Sequence, residues 1–276
     1  MSQTDAFGDR MKAYEKFETG RRFLPYLPVY ARLDGRCFSK FTRGFDRPYD
    51  ARMSQVMIDV TKALVKQTDA ILGYTQSDEI SLVWYTDDPK QQLYFDSKIQ
   101  KMVSCLASDV TAEFLIRALE IWPEKSRRKL PKWDARVFQL PNLVECANAL
   151  LWREKDATKN SITMAARCHY SDRDLFGKSG AEKQEMLFQK GVNWDQFPAF
   201  FKRGTFIARR KVQRHMTAEE LQRIPQAFRP TEPKMRTDIV EIDMPPFSKV
   251  INRVDVVFAG AEPLLAADLT EGQLAA

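Results

Sequence analysis

The sequence is poor in the residues that build metal cages and disulfide frameworks. It has two histidines and four cysteines, and Cys37, Cys105, Cys146 and Cys168 are widely separated, with no CxxC pair. This spacing argues against a zinc site and against a disulfide framework. Long apolar runs are also missing, since none approaches the roughly 18 residues of a transmembrane helix. The polar N-terminus lacks the pattern of a secretory signal. The sequence therefore predicts a reduced, cytoplasmic protein without a membrane partner.

Positive charge is concentrated in the middle of the chain. The net charge is +6, and residues 91–230 alone hold 25 basic and 16 acidic side chains. The dense basic clusters lie at 125–129 with Lys132, at 202–203, and at 209–211 with Arg214. Such a surface binds polyanions because neutralised phosphates release their counterions. A solvated helix or loop face has the same composition, so charge alone leaves both interpretations open.

The order of apolar patterns predicts an α+β fold. Alternating residues predict strands, and apolar residues at helical spacing predict amphipathic helices. The predicted elements are a strand over 29–33, a helix over 51–67, a hairpin of strands over 70–74 and 80–85, a helix over 97–118 and a strand over 135–140. This β-α-β-β-α-β order is the ferredoxin-like arrangement of an antiparallel sheet with helices. The stretch 141–230 carries mostly helical signals, and strand-like runs follow at 238–242 and 250–258.

Two places in this order hold carboxylates that could do chemistry. Asp34 ends the first strand just before Gly35, and Asp78 and Glu79 lie at the hairpin tip. Because the first strand lies beside the hairpin, we expect Asp34 and Asp78 to meet at one sheet edge. Adjacent carboxylates repel unless a cation lies between them, and oxygen ligands select Mg²⁺ or Mn²⁺. Two solvated turns are the alternative, since Asp-Gly is a common turn pair.

Two such ions about 3.5–4 Å apart clamp the attacking and leaving oxygens of phosphoryl transfer, which is the arrangement of a polymerase or cyclase palm. Basic residues surround Asp34 in the sequence and can bind a triphosphate. They are Arg32, Arg36, Lys40, Arg43 and Arg47. Lys98 could join them with the free amides of the next helix. We therefore predict a palm-like catalytic domain in residues 1–140. A mainly helical extension in residues 141–276 packs on it as one compact unit.

Two segments of the chain resemble the tRNA-His guanylyltransferase family, whose members add nucleotides in the reverse, 3′-to-5′, direction. They are Arg32-Leu-Asp34-Gly35-Arg36-Cys-Phe38-Ser-Lys40-Phe41 and Tyr74-Thr-Gln76-Ser77-Asp78-Glu79. The resemblance continues through 43–50 and 97–98, with weaker matches at 133–136, 152–160, 182–185 and 202–205. It covers roughly residues 10–210, and the two long motifs at this separation are specific.

The resemblance implies a polymerase-like palm that uses two Mg²⁺ ions. Asp34, Asp78 and the Gly35 carbonyl would bind the metals, with Glu79 completing the catalytic set. The nucleotide-binding residues it implies are Asp34, Gly35, Arg36, Cys37, Phe38, Ser39, Lys40, Arg47, Ser77, Asp78 and Lys98. For Phe38 a core position is an equal alternative. Contacts to tRNA or to the activation site would come from Asp156, Asn160, Lys183 and Arg203, each of which could equally be a helix cap or a surface ion pair.

One segment departs from the eukaryotic pattern. Where eukaryotic members carry His-Ile-Asn-Asn, this chain has Thr158-Lys159-Asn160-Ser161, which looks like the bacterial and archaeal branch. The resemblance then implies template-dependent addition of nucleotides to the 5′ end of tRNA, as 5′-end repair or as tRNA-His-type guanylylation. The 5′ end would be activated with ATP, and NTPs such as GTP would be the other substrates. It also implies a homo-tetramer. A nucleotide cyclase on the same palm and a non-catalytic RNA-binding module are the alternatives.

Overall fold

A six-stranded antiparallel sheet forms the centre of the computed structural model, which describes residues 5–268. The strands are β1 (Val29–Gly35), β2 (Leu72–Gln76), β3 (Glu79–Trp84), β4 (Trp133–Gln139), β5 (Thr205–Arg214) and β6 (Lys234–Ile242). The helices are α1 (Ala6–Thr19), α2 (Phe38–Phe41), α3 (Ala51–Gln67), α4 (Ile99–Ile121), α5 (Pro123–Arg128), α6 (Leu143–Ala166), α7 (Asp172–Leu175), α8 (Gly180–Gln189), α9 (Ala199–Arg203) and α10 (Ala218–Gln222). The α+β class predicted from the sequence is confirmed.

The strand order is β4-β1-β3-β2-β5-β6. β1 therefore lies between β4 and β3, with Asp34 opposite Glu79 on one side and opposite Asp134 on the other. Directly paired residues of antiparallel strands point to the same face of the sheet. The topology thus gathers three carboxylates in one row at the end of the sheet.

One face of the sheet is apolar and is covered by α3 and α4. Val29, Ala31 and Leu33 alternate along β1 and pack with buried residues of both helices. The stripe of α3 is buried along its length, and Asp50 caps that helix by accepting a hydrogen bond from the Arg52 backbone N–H at 3.0 Å. A capped amphipathic helix on an alternating strand is the arrangement that the sequence pattern predicts.

The opposite face is partly polar and lies under α6. Tyr30 on this face is fully buried, and its hydroxyl donates to the Ser81 hydroxyl at 2.7 Å. Further along, Leu72, Tyr74 and Phe206 form a second core with the C-terminal segment. The polar residues of this face lie beside the row of three carboxylates at the end of the sheet.

Two expectations from the sequence are wrong. β5 lies in the stretch with helical signals, because its apolar residues are limited to 206–208 and Val212, and the basic residues between and after them hide the alternation. Residues 250–258 do not form a strand and include the helical turn Asp255–Ala259, where Val256 and Val257 pack into the second core. Short apolar runs do not distinguish a strand from a buried helical turn.

The predicted run 238–242 is confirmed as part of β6, which pairs with β5 along its whole length. Within residues 5–268, no helix combines the length and the apolar character needed to cross a bilayer.

Candidate active site

The ends of β1 and of the β2–β3 turn meet at one edge of the sheet. The Gly35 backbone N–H donates to the Asp78 carbonyl oxygen at 3.2 Å, and the Trp133 indole N–H donates to the same oxygen at 3.1 Å. These bonds fix the turn that carries Asp78 against the end of β1. The structure therefore brings Asp34, Gly35 and Asp78 together, as the strand order predicted.

Gly35 allows this close approach because it has no side chain. A Cβ atom there would lie 2.7 Å from Oδ2 of Asp78 and 2.6 Å from Cδ2 of Phe38. Real Cβ atoms do not approach other heavy atoms so closely. Any larger residue would push the Asp78 carboxylate or the Phe38 ring out of place.

Asp78 is a partly buried carboxylate without a cationic partner. Burial raises the pKa of its carboxyl to about 6, the hydrogen bond from Ser77 at 3.1 Å opposes this, and the charges of Asp34 and Glu79 raise the pKa further. Among the described residues no lysine or arginine forms an ion pair with Asp78. The guanidinium of Arg136 approaches Asp34 only to 3.9 Å. The negative charge of Asp78 is thus left without an ion-pair partner in residues 5–268.

Glu79, the next residue, is in the opposite situation. Its two carboxylate oxygens accept hydrogen bonds from Nε and Nη2 of Arg153 at 2.6 and 2.8 Å. Both side chains are buried, and burial raises the pKa of Glu79 while the Arg153 guanidinium opposes that rise. Arg153 also donates to Asp156 at 2.9 Å. Glu79 is therefore held by α6 and faces a guanidinium instead of the open edge.

The donor set at the edge fits a magnesium ion. Asp34, Asp78 and the Gly35 carbonyl offer oxygen atoms only, which is the ligand type of hard divalent cations. Within residues 5–268 no group of three or more His, Cys, Asp or Glu side chains is arranged to hold a metal ion. Two carboxylates are a typical protein ligand set for Mg²⁺, whose other coordination positions are occupied by water and substrate phosphates.

A cavity of about 380 Å³ opens beside Asp78. Its walls come from the segment after α2, from the β2–β3 turn, and from α6 and α9. The predicted site residues that line it are Phe38, Ser39, Arg47, Ser77, Asp78 and Asn160. Aromatic rings of Phe45, Tyr49, Phe200 and Phe201 line it as well. Its volume is within the usual range of small-molecule sites, roughly 300–1,000 Å³.

The structure distributes the other predicted residues more widely. Phe38 is buried and its ring lies 4.8 Å from that of Trp133, so it belongs to the core as well as to the cavity wall. Arg36 and Cys37 are exposed on the turn that follows β1, Lys40 is exposed on α2, and none of the three lines the cavity. Lys98 lies near Trp84 at the opposite end of β3, in a separate cavity of about 420 Å³.

The four residues predicted to contact tRNA are dispersed. Asp156 pairs with Arg153, and Asn160 donates to Asp156 at 3.3 Å. The Lys183 ammonium donates to Thr163 at 3.2 Å on the outer part of α6. Arg203 offers its carbonyl to the Tyr74 hydroxyl at 2.7 Å. Only Asp156 and Asn160 lie together.

Sequence reasoning assigned no role to Arg153 or to Asp134. Arg153 contacts Glu79 across 74 positions of sequence, and the features that could have indicated it are the weak family match at 152–160 and its place on the mostly apolar buried stripe of α6. Asp134 is the β4 partner of Asp34, and one of its oxygens is buried without a hydrogen-bond partner in the described residues. The sequence feature that could have indicated Asp134 is its place in the Trp-Asp-Ala-Arg segment at the start of a predicted strand.

Known proteins resemble this chain in sequence and in fold. A family model described as tRNA-His guanylyltransferase (Thg1) matches residues 8–141. The chain is similar to a bacterial tRNA(His) guanylyltransferase (Thg1)-like protein solved in complex with ATP, with 30% identity and a TM-score of 0.74 over 92% of this chain and 97% of that one. A structure of such a bacterial protein in complex with GTP gives 29% identity and a TM-score of 0.68, over 89% of this chain and 95% of that chain.

A curated relative extends the comparison to eukaryotes. The tRNA(His) guanylyltransferase of Debaryomyces hansenii is 29% identical over 216 residues, which are 72% of this chain and 80% of that protein. The family indicated by the two sequence motifs is therefore confirmed. The chain belongs to the tRNA(His) guanylyltransferase family of nucleotidyltransferases.

Proposed function

We propose that this protein adds nucleotides in the 3′-to-5′ direction to the 5′ end of a tRNA, reading the opposite strand of the acceptor stem as template. The observation that carries the proposal is the carboxylate of Asp78, which lines a cavity of about 380 Å³ without an ion-pair partner in residues 5–268 and lies close enough to Asp34 for the charge of Asp34 to raise its pKa. Family membership supports a nucleotidyl transfer at this edge. The complexes of the bacterial relatives with ATP and with GTP support nucleotides as substrates.

The reaction has two steps. A 5′-monophosphate end is first activated by ATP: an oxygen of the monophosphate attacks the α-phosphorus of ATP, the AMP group is transferred to the RNA end, and pyrophosphate leaves. A 5′-triphosphate end needs no activation. The 3′-hydroxyl of the incoming nucleotide then attacks the 5′ α-phosphorus, and AMP or pyrophosphate leaves. When bound, two Mg²⁺ ions lower the pKa of the attacking hydroxyl and stabilise the charge on the leaving group.

The residues of the chain supply position and charge. Asp34, Asp78 and the Gly35 carbonyl hold the cations, and the Ser77 hydroxyl orients the Asp78 carboxylate. Arg47 on the cavity wall binds triphosphate, and the exposed Arg36 and Lys40 add positive charge near the same edge. Holding the two reacting groups in line supplies much of the remaining rate.

The substrate is either a tRNA that lacks its first nucleotide or a full-length tRNA-His. The departure at Thr158-Lys159-Asn160-Ser161 favours general 5′-end repair. A homo-tetramer and a cytoplasmic location remain predictions from the family resemblance.

The test is nucleotide addition with Mg²⁺, ATP and all four labelled NTPs on two 5′-labelled RNAs. One is full-length tRNA-His and the other is a different tRNA without its first nucleotide. We expect the truncated tRNA to gain the base that pairs with its acceptor stem. The Asp34→Ala variant should bind both RNAs and extend neither, since the substitution keeps the surface that binds RNA and removes a cation ligand.

Other outcomes contradict the proposal in distinct ways. Extension of tRNA-His alone, opposite a non-pairing base, would exclude general repair. Formation of a cyclic nucleotide would indicate a cyclase. Unchanged tRNA binding without extension of either RNA would indicate a non-catalytic binding module.

A further inference from the structure

The basic clusters of the sequence differ in how they are paired in the fold. In the two clusters between residues 202 and 214, most of the cations are bound internally. Lys202 pairs with Asp195 at 2.9 Å, and Arg209 pairs with Asp69 at 2.8 Å. Arg210 donates to the carbonyls of Val256 and Ala261, and Arg214 pairs with Glu220 and Asp238. Arg209, Arg210 and Arg214 thus hold β5 to its neighbours.

The cluster around α5 is mostly exposed, and most of its cations form no ion pair in residues 5–268. It joins the basic residues that follow β1 in one surface, which we call the basic strip. The basic strip consists of Arg36, Lys40, Arg43, Arg127, Arg128, Lys129 and Lys132, all of them exposed. Arg127 approaches Glu124 at 3.4 Å. The other six form no ion pair with any residue in 5–268.

Three contacts make the basic strip continuous. The Arg36 backbone N–H donates to the Lys132 carbonyl at 2.8 Å. The Lys129 ammonium donates to the Lys40 carbonyl at 3.3 Å, and the partly buried Lys125 donates to the Phe41 carbonyl at 3.0 Å. These bonds fasten α5 and the segment after it to α2 and to the turn after β1.

One end of the basic strip lies at the reactive edge. Arg36 follows Gly35, whose backbone N–H contacts the Asp78 carbonyl. None of the seven residues lines the cavity beside Asp78. The positive charge of the basic strip therefore lies on an open surface that leads to the site. A chain of phosphates fits such a surface better than a single nucleotide does. Like charges kept together without internal partners repel one another, and an external polyanion relieves that repulsion.

We propose that the basic strip binds the phosphodiester backbone of the RNA whose 5′ end reacts beside Asp34 and Asp78. This inference rests on the proposed function, because it assigns the surface that holds that reaction's RNA substrate. The contacts go to phosphates, so they position the RNA and carry no sequence preference.

The experiment compares two triple variants with equal loss of charge. The strip variant carries Arg127→Gln, Arg128→Gln and Lys132→Gln. The matched control carries Lys211→Gln, Arg223→Gln and Lys234→Gln, three exposed cations beyond the basic strip. Binding of a truncated tRNA is measured by fluorescence anisotropy over a series of KCl concentrations. Circular dichroism checks the fold, and ATP binding checks the cavity.

We expect the strip variant to bind the tRNA roughly 10- to 100-fold more weakly near physiological salt, with a salt slope smaller by about 2 to 3. The control should bind like the wild type, and ATP binding should stay unchanged in both. In nucleotide addition, the strip variant should lose kcat/KM for the tRNA while kcat at saturating tRNA is kept.

The results that overturn the inference differ from those that overturn the proposed function. Equal weakening in both variants, or in neither, refutes the basic strip as the RNA surface even if the wild type extends tRNA. A wild type that extends no RNA while only the strip variant loses tRNA binding refutes the proposed reaction and leaves the binding surface in place.

Discussion

Two neighbouring regions at the β2–β3 turn differ in whether their carboxylates have an ion-pair partner. At the open edge, which consists of Asp34 and Asp78, the charge of Asp34 helps to raise the pKa of Asp78, and no cation pairs with Asp78 in the described residues. At the buried pair one position further on, Glu79 has both oxygens bound by Arg153. The difference indicates that Glu79 contributes to the architecture of the site, while the charge of the open edge is available to a ligand.

The two regions also differ in what they do for stability. A buried ion pair adds little net stability, yet removing one partner leaves an uncompensated buried charge. A carboxylate held without a partner lowers stability in the absence of its cation. Such local destabilisation is common at functional sites. Variants of the two regions should therefore separate activity from stability.

The largest effect is expected at the open edge. The change Asp78→Asn keeps the shape of the side chain and removes its charge, so nucleotide addition should fall by about 10³-fold or more, since cation-mediated charge stabilisation is worth several kcal/mol. The free energy of unfolding at pH 7 should stay the same or rise. Single-turnover assays and urea unfolding measure the two quantities. Asp172→Asn, on an exposed pair of α7, is the control and should change neither.

Retained activity in Asp78→Asn would mean that this carboxylate binds no essential cation. A large loss of stability would mean that its charge has a partner that supports the fold. Either result would show that the carboxylates of the open edge and of the buried pair do not differ in function in the way we infer.

The next effect is expected at the buried pair. The change Arg153→Met leaves the Glu79 carboxylate buried without its bidentate partner, and Nε of Arg32 lies 3.9 Å away, so the free energy of unfolding should fall by about 3–5 kcal/mol. The double variant Arg153→Met with Glu79→Gln should recover much of the loss, because the buried carboxylate charge is then removed as well. Urea unfolding measures each variant.

A surface arginine gives the matched control for that series. Arg167→Met removes the exposed partner of Asp172, and its cost should stay below about 1 kcal/mol. If Arg153→Met costs no more than Arg167→Met, the Glu79–Arg153 contact is not a buried ion pair in solution.

A smaller effect is expected from pH. Burial raises the pKa of Asp78 from 3.8 to about 6. The folded state then binds its proton more tightly than the unfolded state does. The stabilising contribution is complete below about pH 4 and is lost as pH rises through about 6. For the protein in chelator, the change is at most about 3 kcal/mol.

The measurement is the free energy of unfolding from pH 4 to 8, compared with that of Asp78→Asn. The difference between the two proteins should grow with pH and level off above about 7. A difference independent of pH would show that Asp78 titrates as in an exposed chain.

The sequence predicts the open edge better than its surroundings. The meeting of Asp34 with Asp78 follows from local apolar alternation and one short turn, which fix neighbouring strands. The pairing of β5 with β2 joins distant parts of the chain, with Tyr74 opposite Phe206 and no local signal. Lys98 was expected near the triphosphate because it starts a helix. The direction of α4 instead brings its residue Phe114 to Trp133 and leaves Lys98 at the other end of the sheet.

The smallest effect concerns Trp152, which lies on the solvent side of the buried pair and is 54% exposed. The guanidinium carbons of Arg153 and Arg32 lie 4.4 and 5.8 Å from the centroid of its ring. Trp152→Leu should lower the free energy of unfolding by about 0.5–1 kcal/mol, since exposed cation–π contacts are weak. Phe176→Leu is the control, because Phe176 is 88% exposed and has no aromatic or cationic neighbour over its ring in the described residues. Urea unfolding of both variants measures the difference. A loss as large as that of Arg153→Met would mean that Trp152 shields the Glu79–Arg153 contact from water and belongs to the buried pair.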